Sequence, residues 1–175
     1  MSKSSEERLV NLLGVAALAA TDRMRAGVEG TLGSGGAAPA ALVHLAAYPG
    51  ESAEALHHVL EISQPGTAQV LERLVDQGLV ERRPGRDRRT HALHLTARGR
   101  RTVDRLIERR AETLGALLAP LTEDERALLT PLLEKVVAGL ADDMPQALNT
   151  CRLCDREACC REPGCPLDHI VRSSR

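Results

Sequence analysis

The residues best suited to do chemistry are the cysteines, and all five lie within 151–165: Cys151-Arg-Leu-Cys154, then Cys159-Cys160, then Cys165. A Cys-x-x-Cys turn sets two sulfurs on one side of a metal ion, and a second pair from the next turn completes a tetrahedron. Pro163-Gly164 supplies a tight turn just before Cys165. Cys151, Cys154, Cys159 and Cys165 are the preferred ligands; Cys160 is the spare or replaces Cys159, and His169 is a weaker substitute. Four thiolates suit zinc, and equally an iron–sulfur cluster. Three readings stay open: a closed structural zinc site, a redox or metal sensor, and a flexible tail with free thiols or disulfides. Enzymatic zinc is disfavoured, because four thiolates leave no open coordination position and no His-Glu-x-x-His appears.

A second constellation is cationic. Gly78-Leu-Val-Glu-Arg-Arg-Pro-Gly-Arg-Asp-Arg-Arg-Thr-His-Ala-Leu-His-Leu-Thr96 reads as two short strands, 80–83 and 90–95, around a Pro84-Gly85 turn. His91, Leu93 and Leu95 alternate with Thr90, Ala92 and His94, so one face can pack inward. Arg86, Arg88 and Arg89 load the tip, with Arg82 and Arg83 at its base. Burying so many guanidinium groups is prohibitive, so they face water or an anion. A hairpin holding arginines away from the body is suited to gripping a polyanion such as duplex DNA. A solvated, salt-bridged surface is the alternative. Asp87 is read as pairing with a neighbouring arginine and stiffening the tip.

Composition narrows the classes. The formal net charge is −1, so the cationic character is local: 82–110 is basic and 123–143 leans acidic. Trp and Phe are absent and Tyr48 is the one tyrosine, which disfavours recognition of single strands by base stacking. The core must be built from Leu, Val and Ala. No apolar run approaches the roughly 20 residues of a membrane helix. The polar start, Met1-Ser-Lys-Ser-Ser, lacks a signal-peptide core, and a cytoplasmic location is expected.

The elements that must position these groups are mostly helices. A first helix is expected over 4–28, with Leu9, Leu12, Leu13, Ala16 and Leu18 on a wide apolar face. Gly30-Thr-Leu-Gly-Ser-Gly-Gly36 should break it; no Gly-Lys-Ser/Thr follows, so this is a linker and not a phosphate loop. Short helices are expected over 39–48 and 53–61, the second capped by Ser52. Ser63 then caps a helix to about Gln77, with Thr67, Val70, Leu71 and Leu74 facing inward and Pro65, Gly66, Gln69 and Arg73 outward. Two short helices and a tight turn form a helix-turn-helix, and the hairpin makes it winged. Thr96 caps a long helix to about Leu118. Thr122-Glu-Asp-Glu125 is a capping box opening a last helix to Leu140, which Pro131 should kink near Ala127 or divide. The first and last helices carry more apolar surface than one small winged domain can cover, which points to pairing with a second copy.

The fold class is thus mainly α: a winged helix-turn-helix at 37–96, an N-terminal dimerisation helix at 1–30, a long helix and C-terminal dimerisation helix at 97–145, and a cysteine-rich tail at 146–175. The pattern Leu74-x-x-x-Gly78-Leu-Val-x-Arg82, followed by Asp87-x-Arg89-x-x-x-Leu93-x-Leu95-Thr96, resembles the MarR family of bacterial transcription regulators over about 6–140. The resemblance implies a homodimer on a pseudo-palindromic operator, usually a repressor, with a small phenolic ligand, a metal or an oxidant as effector. Carried over by position, it implies that Ser63, Gln64, Pro65, Gly66, Ala68, Gln69 and Arg73 meet DNA from the recognition helix. It also implies a minor-groove contact by Arg88 or Arg89, flanked by Arg86. Gly66-Thr-Ala-Gln69 departs from the family's frequent Thr-x-Ser/Thr-Arg; glutamine pairs with adenine where arginine would prefer guanine. The scattered histidines are read as surface or interface residues, and His44 and Tyr48 as bordering the crevice where the family's effectors often bind. After Asp143 the chain leaves the family pattern.

Overall fold

The computed structural model describes residues 3–33, 35–85, 91–161 and 164–173. Nine helices and one hairpin follow in order among them: α1 (Lys3–Leu32), α2 (Ala38–Ala47), α3 (Ala53–Leu60), α4 (Gln64–Asp76), β1 (Val80–Pro84), β2 (His91–Leu95), α5 (Ala97–Leu118), α6 (Glu123–Ala138), α7 (Met144–Thr150), α8 (Arg156–Cys159) and α9 (Asp168–Ser173). Helix α1 lies along α5, and α2 packs on α5, β2 and α3. The main core is aliphatic. Leu42 and Leu45 of α2, Leu56 of α3, Leu71 and Leu74 of α4, Leu93 of β2 and Leu106 of α5 are almost wholly buried. Each contributes about 1.5–3 kcal/mol of transfer free energy.

Local signals set most boundaries. Ser52, Ser63, Thr96 and Thr122 each accept a backbone N–H in the first turn of the helix they precede. The capping box at α6 is complete, with the Glu125 carboxylate accepting from the Thr122 amide at 2.8 Å. Gly78 (φ 65°) ends α4 in the left-handed conformation that favours glycine.

Three expectations are corrected. Helix α1 does not break at Gly30 but continues to Leu32, whose side chain packs against the core; Gly33 (φ 65°) is the residue that stops it. Helix α6 runs on through Pro131, which sets aside the alternative of two shorter helices. Proline removes one backbone bond there, and the Ala127 carbonyl it would have engaged lies on an exposed turn open to water. On β2, Leu93 and Leu95 face the core as expected, but His91 is exposed, because it pairs with Pro84 beyond the end of the core. Thr90, expected to open that strand, lies outside the described residues, as does Pro163.

The hairpin is antiparallel, with Val80 opposite Leu95 and Arg82 opposite Leu93. Its other edge is held by 50–51: the Gly50 amide donates to the Leu93 carbonyl and the Leu93 amide to the Glu51 carbonyl, both at 2.9 Å. At its root, a Cβ placed on Gly99 would collide with the Leu79 carbonyl, so α5 can start here only with glycine. The tail forms a second small core from Ala141, Ala147, Leu167 and Ile170. Helix α7 rests on α3, and the Asn149 side-chain amide donates to the Val59 carbonyl at 2.9 Å.

Two substitutions test these junctions. Gly99→Ala should lower stability by about 1–3 kcal/mol, since the obstacle is backbone and cannot rotate away; a denaturation midpoint equal to wild type would show that the approach is not tight. Asn149→Ala should cost about 1–3 kcal/mol by orphaning the Val59 carbonyl, and its amide exchange should quicken along α7. Unchanged exchange there would remove this bond as the tail's anchor.

Candidate functional site

The turn between α3 and α4 is built from three local features. Glu61 takes a left-handed φ of 50°. The His57 ring nitrogen Nδ1 donates to the Ile62 carbonyl at 2.6 Å, which places a proton on that nitrogen. The Ser63 hydroxyl accepts the Gly66 amide at 3.2 Å. Helix α4 then buries Thr67, Val70, Leu71 and Leu74, as its period requires. The opposite side carries Gln64, Pro65, Ala68, Gln69 and Arg73, all exposed, with Gly66 half-buried. Ser63 and Gly66 have structural tasks on this surface. Ser63 is the helix cap, and a Cβ on Gly66 would stand 3.2 Å from the Ser63 hydroxyl and crowd it. The polar groups that this face can offer a ligand are therefore Gln64, Gln69 and Arg73.

The wing's arginines divide into two sets. Arg82 shares a face with Leu93 and turns back to α4, where it pairs with Glu72 at 2.6 Å. Arg83 pairs with Glu81 at 2.5 Å. Sequence reasoning missed both carboxylate partners: Glu81 lies two positions from Arg83, the same-face spacing of a strand, whereas Glu72 is brought in only by the tertiary fold. Exposed ion pairs of this kind contribute about 0–1 kcal/mol to stability, and the carboxylate beside each arginine lessens its net pull on an anion. Arg86, Arg88 and Arg89, and Asp87 with them, lie outside the described residues.

His44, expected at a surface or interface, is instead buried, and its Nε2 lies 2.9 Å from a Glu51 carboxylate oxygen. Its ring also meets Tyr48, with centroids 4.8 Å apart. The Arg156 guanidinium covers the Tyr48 ring from the tail at 5.0 Å and donates to its hydroxyl at 2.7 Å. Composition shows one tyrosine but could not show that the tail reaches it.

The tail brings Cys151, Cys154, Cys159 and Cys165 together and leaves Cys160 exposed. Cys151 caps α7, Cys154 closes the following turn, Cys159 ends α8 and Cys165 precedes α9. The Cys154 thiol donates to the Cys151 sulfur, which holds the Cys151 thiol below the ordinary range and pushes that of Cys154 well up. Burial, reinforced by Cys154 and Cys165, pushes Cys159 up to about 12. Among the described residues no three His, Cys, Asp or Glu side chains stand close enough together, as placed, to hold a metal ion. Beside the sulfurs lies a cavity of about 480 Å³ bounded by Leu133, Val137 and Leu140. His169, the weaker substitute, is exposed and directs Nδ1 to the Pro166 carbonyl at 3.0 Å.

No helix among the described residues is long and apolar enough to cross a membrane. No curated protein matches the chain by sequence. The family model for the MarR family matches residues 33–90, which span the helix-turn-helix and reach into the wing. Among solved structures, a MarR-family protein of Mycobacterium tuberculosis, in complex with DNA, is 26% identical, with a TM-score of 0.62 over 73% of this chain and 96% of its own. MarR of E. coli in its apo form is 25% identical, with a TM-score of 0.61 over 73% and 96%. The YusO protein of Bacillus subtilis is 20% identical and shares the fold, with a TM-score of 0.69 over 79% and 99%. Residues 33–90 thus match the MarR family of transcriptional regulators, and the winged helix-turn-helix of this chain has the fold of its solved members.

Proposed function

We propose that the protein acts as a homodimeric repressor, bound to a pseudo-palindromic operator in duplex DNA. The observation that carries this reading is the pairing of an outward polar face on α4 with two helices whose apolar faces stand in solvent. Helix α6 buries none of its residues, and α1 buries only Val28 among those described. Leu9, Leu13, Leu18, Leu128 and Leu132 are each more than half exposed. Soluble monomers rarely leave contiguous apolar surface of this kind in water. A second copy covers it and supplies a second recognition helix, spaced for half-sites about 10 base pairs apart.

On this reading Gln64, Gln69 and Arg73 enter the major groove with Ser63, Pro65, Gly66 and Ala68 against the backbone and base edges. Gln69 reads adenine by its amide. Arg86, Arg88 and Arg89 grip the phosphates, and Arg88 or Arg89 enters the minor groove. Repression follows from occupying the operator. A small-molecule effector would fit the cleft of about 610 Å³ between α1, α2 and the tail, lined by Met24, Val28, Pro39, Leu60 and Leu153. The cysteine tail is read as a structural zinc site.

A gel shift on the DNA flanking the protein's own gene tests the core of this reading, and a reporter from that promoter tests its sign: repression requires expression to rise when the protein is removed. Arg88→Ala with Arg89→Ala should weaken binding and flatten its salt dependence, by about one unit in slope for each phosphate left without its arginine. Arg82→Ala should do much less, because Glu72 already holds that guanidinium; equal weakening by both variants would overturn the division of the wing. Leu132→Glu with Leu128→Glu should yield monomers in sedimentation and abolish operator binding. A dimer of normal stability would place the interface elsewhere.

A further inference from the structure

Cys151, Cys154, Cys159 and Cys165 line one cavity of the tail, and each acts electrostatically on others of the four. A tetrahedral ion with metal–sulfur bonds of about 2.3 Å sets its sulfurs about 3.8 Å apart. Filling the site therefore takes loss of the thiol protons and closure of the four side chains onto the ion. The backbone around them is already braced, by the Cys154 amide on the Cys151 carbonyl at 2.8 Å and the Asp168 amide on the Cys165 carbonyl at 3.0 Å. Gly164 (φ 108°) supplies the turn into the last ligand.

Charge is matched as well. A divalent ion in four thiolates leaves two net negative charges. Arg110 of α5 acts on Cys154 and Arg156 of α8 acts on Cys151. Arg156 is also the residue that covers Tyr48. From Tyr48 the chain of interactions runs to His44, from His44 to Glu51, and from 50–51 to Leu93 in β2 of the wing. Asn149, just before Cys151, ties the same tail to the end of α3. The cluster thus sits at the root of two straps on the DNA-binding unit.

We propose that Cys151, Cys154, Cys159 and Cys165 bind one zinc-class divalent ion, and that the filled site holds the tail against α2 and α3 so that the wing and recognition helix keep their relative positions. The site stands on the cluster alone; its effect on DNA rests on the DNA-binding reading above. The ion replaces thiol protons, which are released to solvent, and no electron is transferred. Without the ion the straps loosen and operator affinity falls.

The test uses the full chain purified without added metal. Elemental analysis should find about one zinc per chain, and cobalt loaded in its place should give the thiolate charge-transfer and tetrahedral ligand-field bands. Cys154→Ser and Cys159→Ser should lose the metal, while Cys160→Ser keeps it. No zinc together with no cobalt–thiolate bands in the wild type would overturn the site. So would iron with acid-labile sulfide, or equal metal loss in Cys160→Ser. Removing zinc by chelation should weaken operator binding by roughly tenfold, and Arg156→Ala should keep its zinc but bind DNA weakly with or without chelator. Loss of zinc with unchanged operator affinity would overturn the coupling. If the zinc-loaded protein binds no DNA fragment from its own locus, the DNA reading and the coupling fail together and the metal site stands.

Discussion

The DNA-facing half of the molecule depends on one backbone carbonyl, that of Leu79. It accepts the Thr96 amide at 3.0 Å and lies against Gly99, where any side chain would strike it. The Leu79 amide in turn returns to the Leu74 carbonyl of α4 at 2.9 Å. One residue therefore joins the end of the recognition helix, the start of the wing and the start of α5. Because the joint is made of backbone, it cannot relax by changing rotamer. The Thr96 hydroxyl, bonded to the Gly78 carbonyl at 2.7 Å while capping Gly99, closes it from the other side. The angle between helix and wing is set here, before any contact with nucleic acid.

The second constraint is the lack of aromatic bulk. A core of leucine, valine and alanine can be packed densely, but it is thin. It covers α2 to α5 and one end of α1, and leaves α6 with no buried residue. Among the described residues most of that apolar surface is left uncovered. In the proposed dimer a copy covers it, which serves the fold as much as the reading of two half-sites.

The tail solves the same shortage in a different way. Ala141, Ala147, Leu167 and Ile170 are too few to hold a domain, and the segment is tied down by polar links instead: Asn149 to α3, Arg156 to Tyr48, and four sulfurs to one another. Short segments that cannot bury enough apolar surface depend on such staples. This makes the tail the part of the molecule whose order is most open to control by the chemical state of a few side chains.

What the sequence determined by itself was local. Caps at Ser52, Ser63, Thr96 and Thr122, the stop at Gly78, the inward stripe of α4 and the hairpin follow from interactions within a few residues, so periodicity and turn chemistry suffice to find them. Even the likeness of the cysteines to a ligand set was visible in their spacing. The tertiary structure alone decided which polar groups are spent and which stay available. Glu72 is ten positions from Arg82 and takes it out of the wing's cationic surface; Arg156 crosses to Tyr48; His44 is buried by the helices around it; Gly99 answers to a carbonyl twenty positions earlier. Cys160 is turned out to solvent while its neighbour Cys159 joins the cluster, a choice made by the helix turn of α8 and the chain's return at Gly164. Charge and thiol chemistry are written in residue types, but their availability depends on what the folded chain brings within about three or four ångströms, and no local pattern carries that distance.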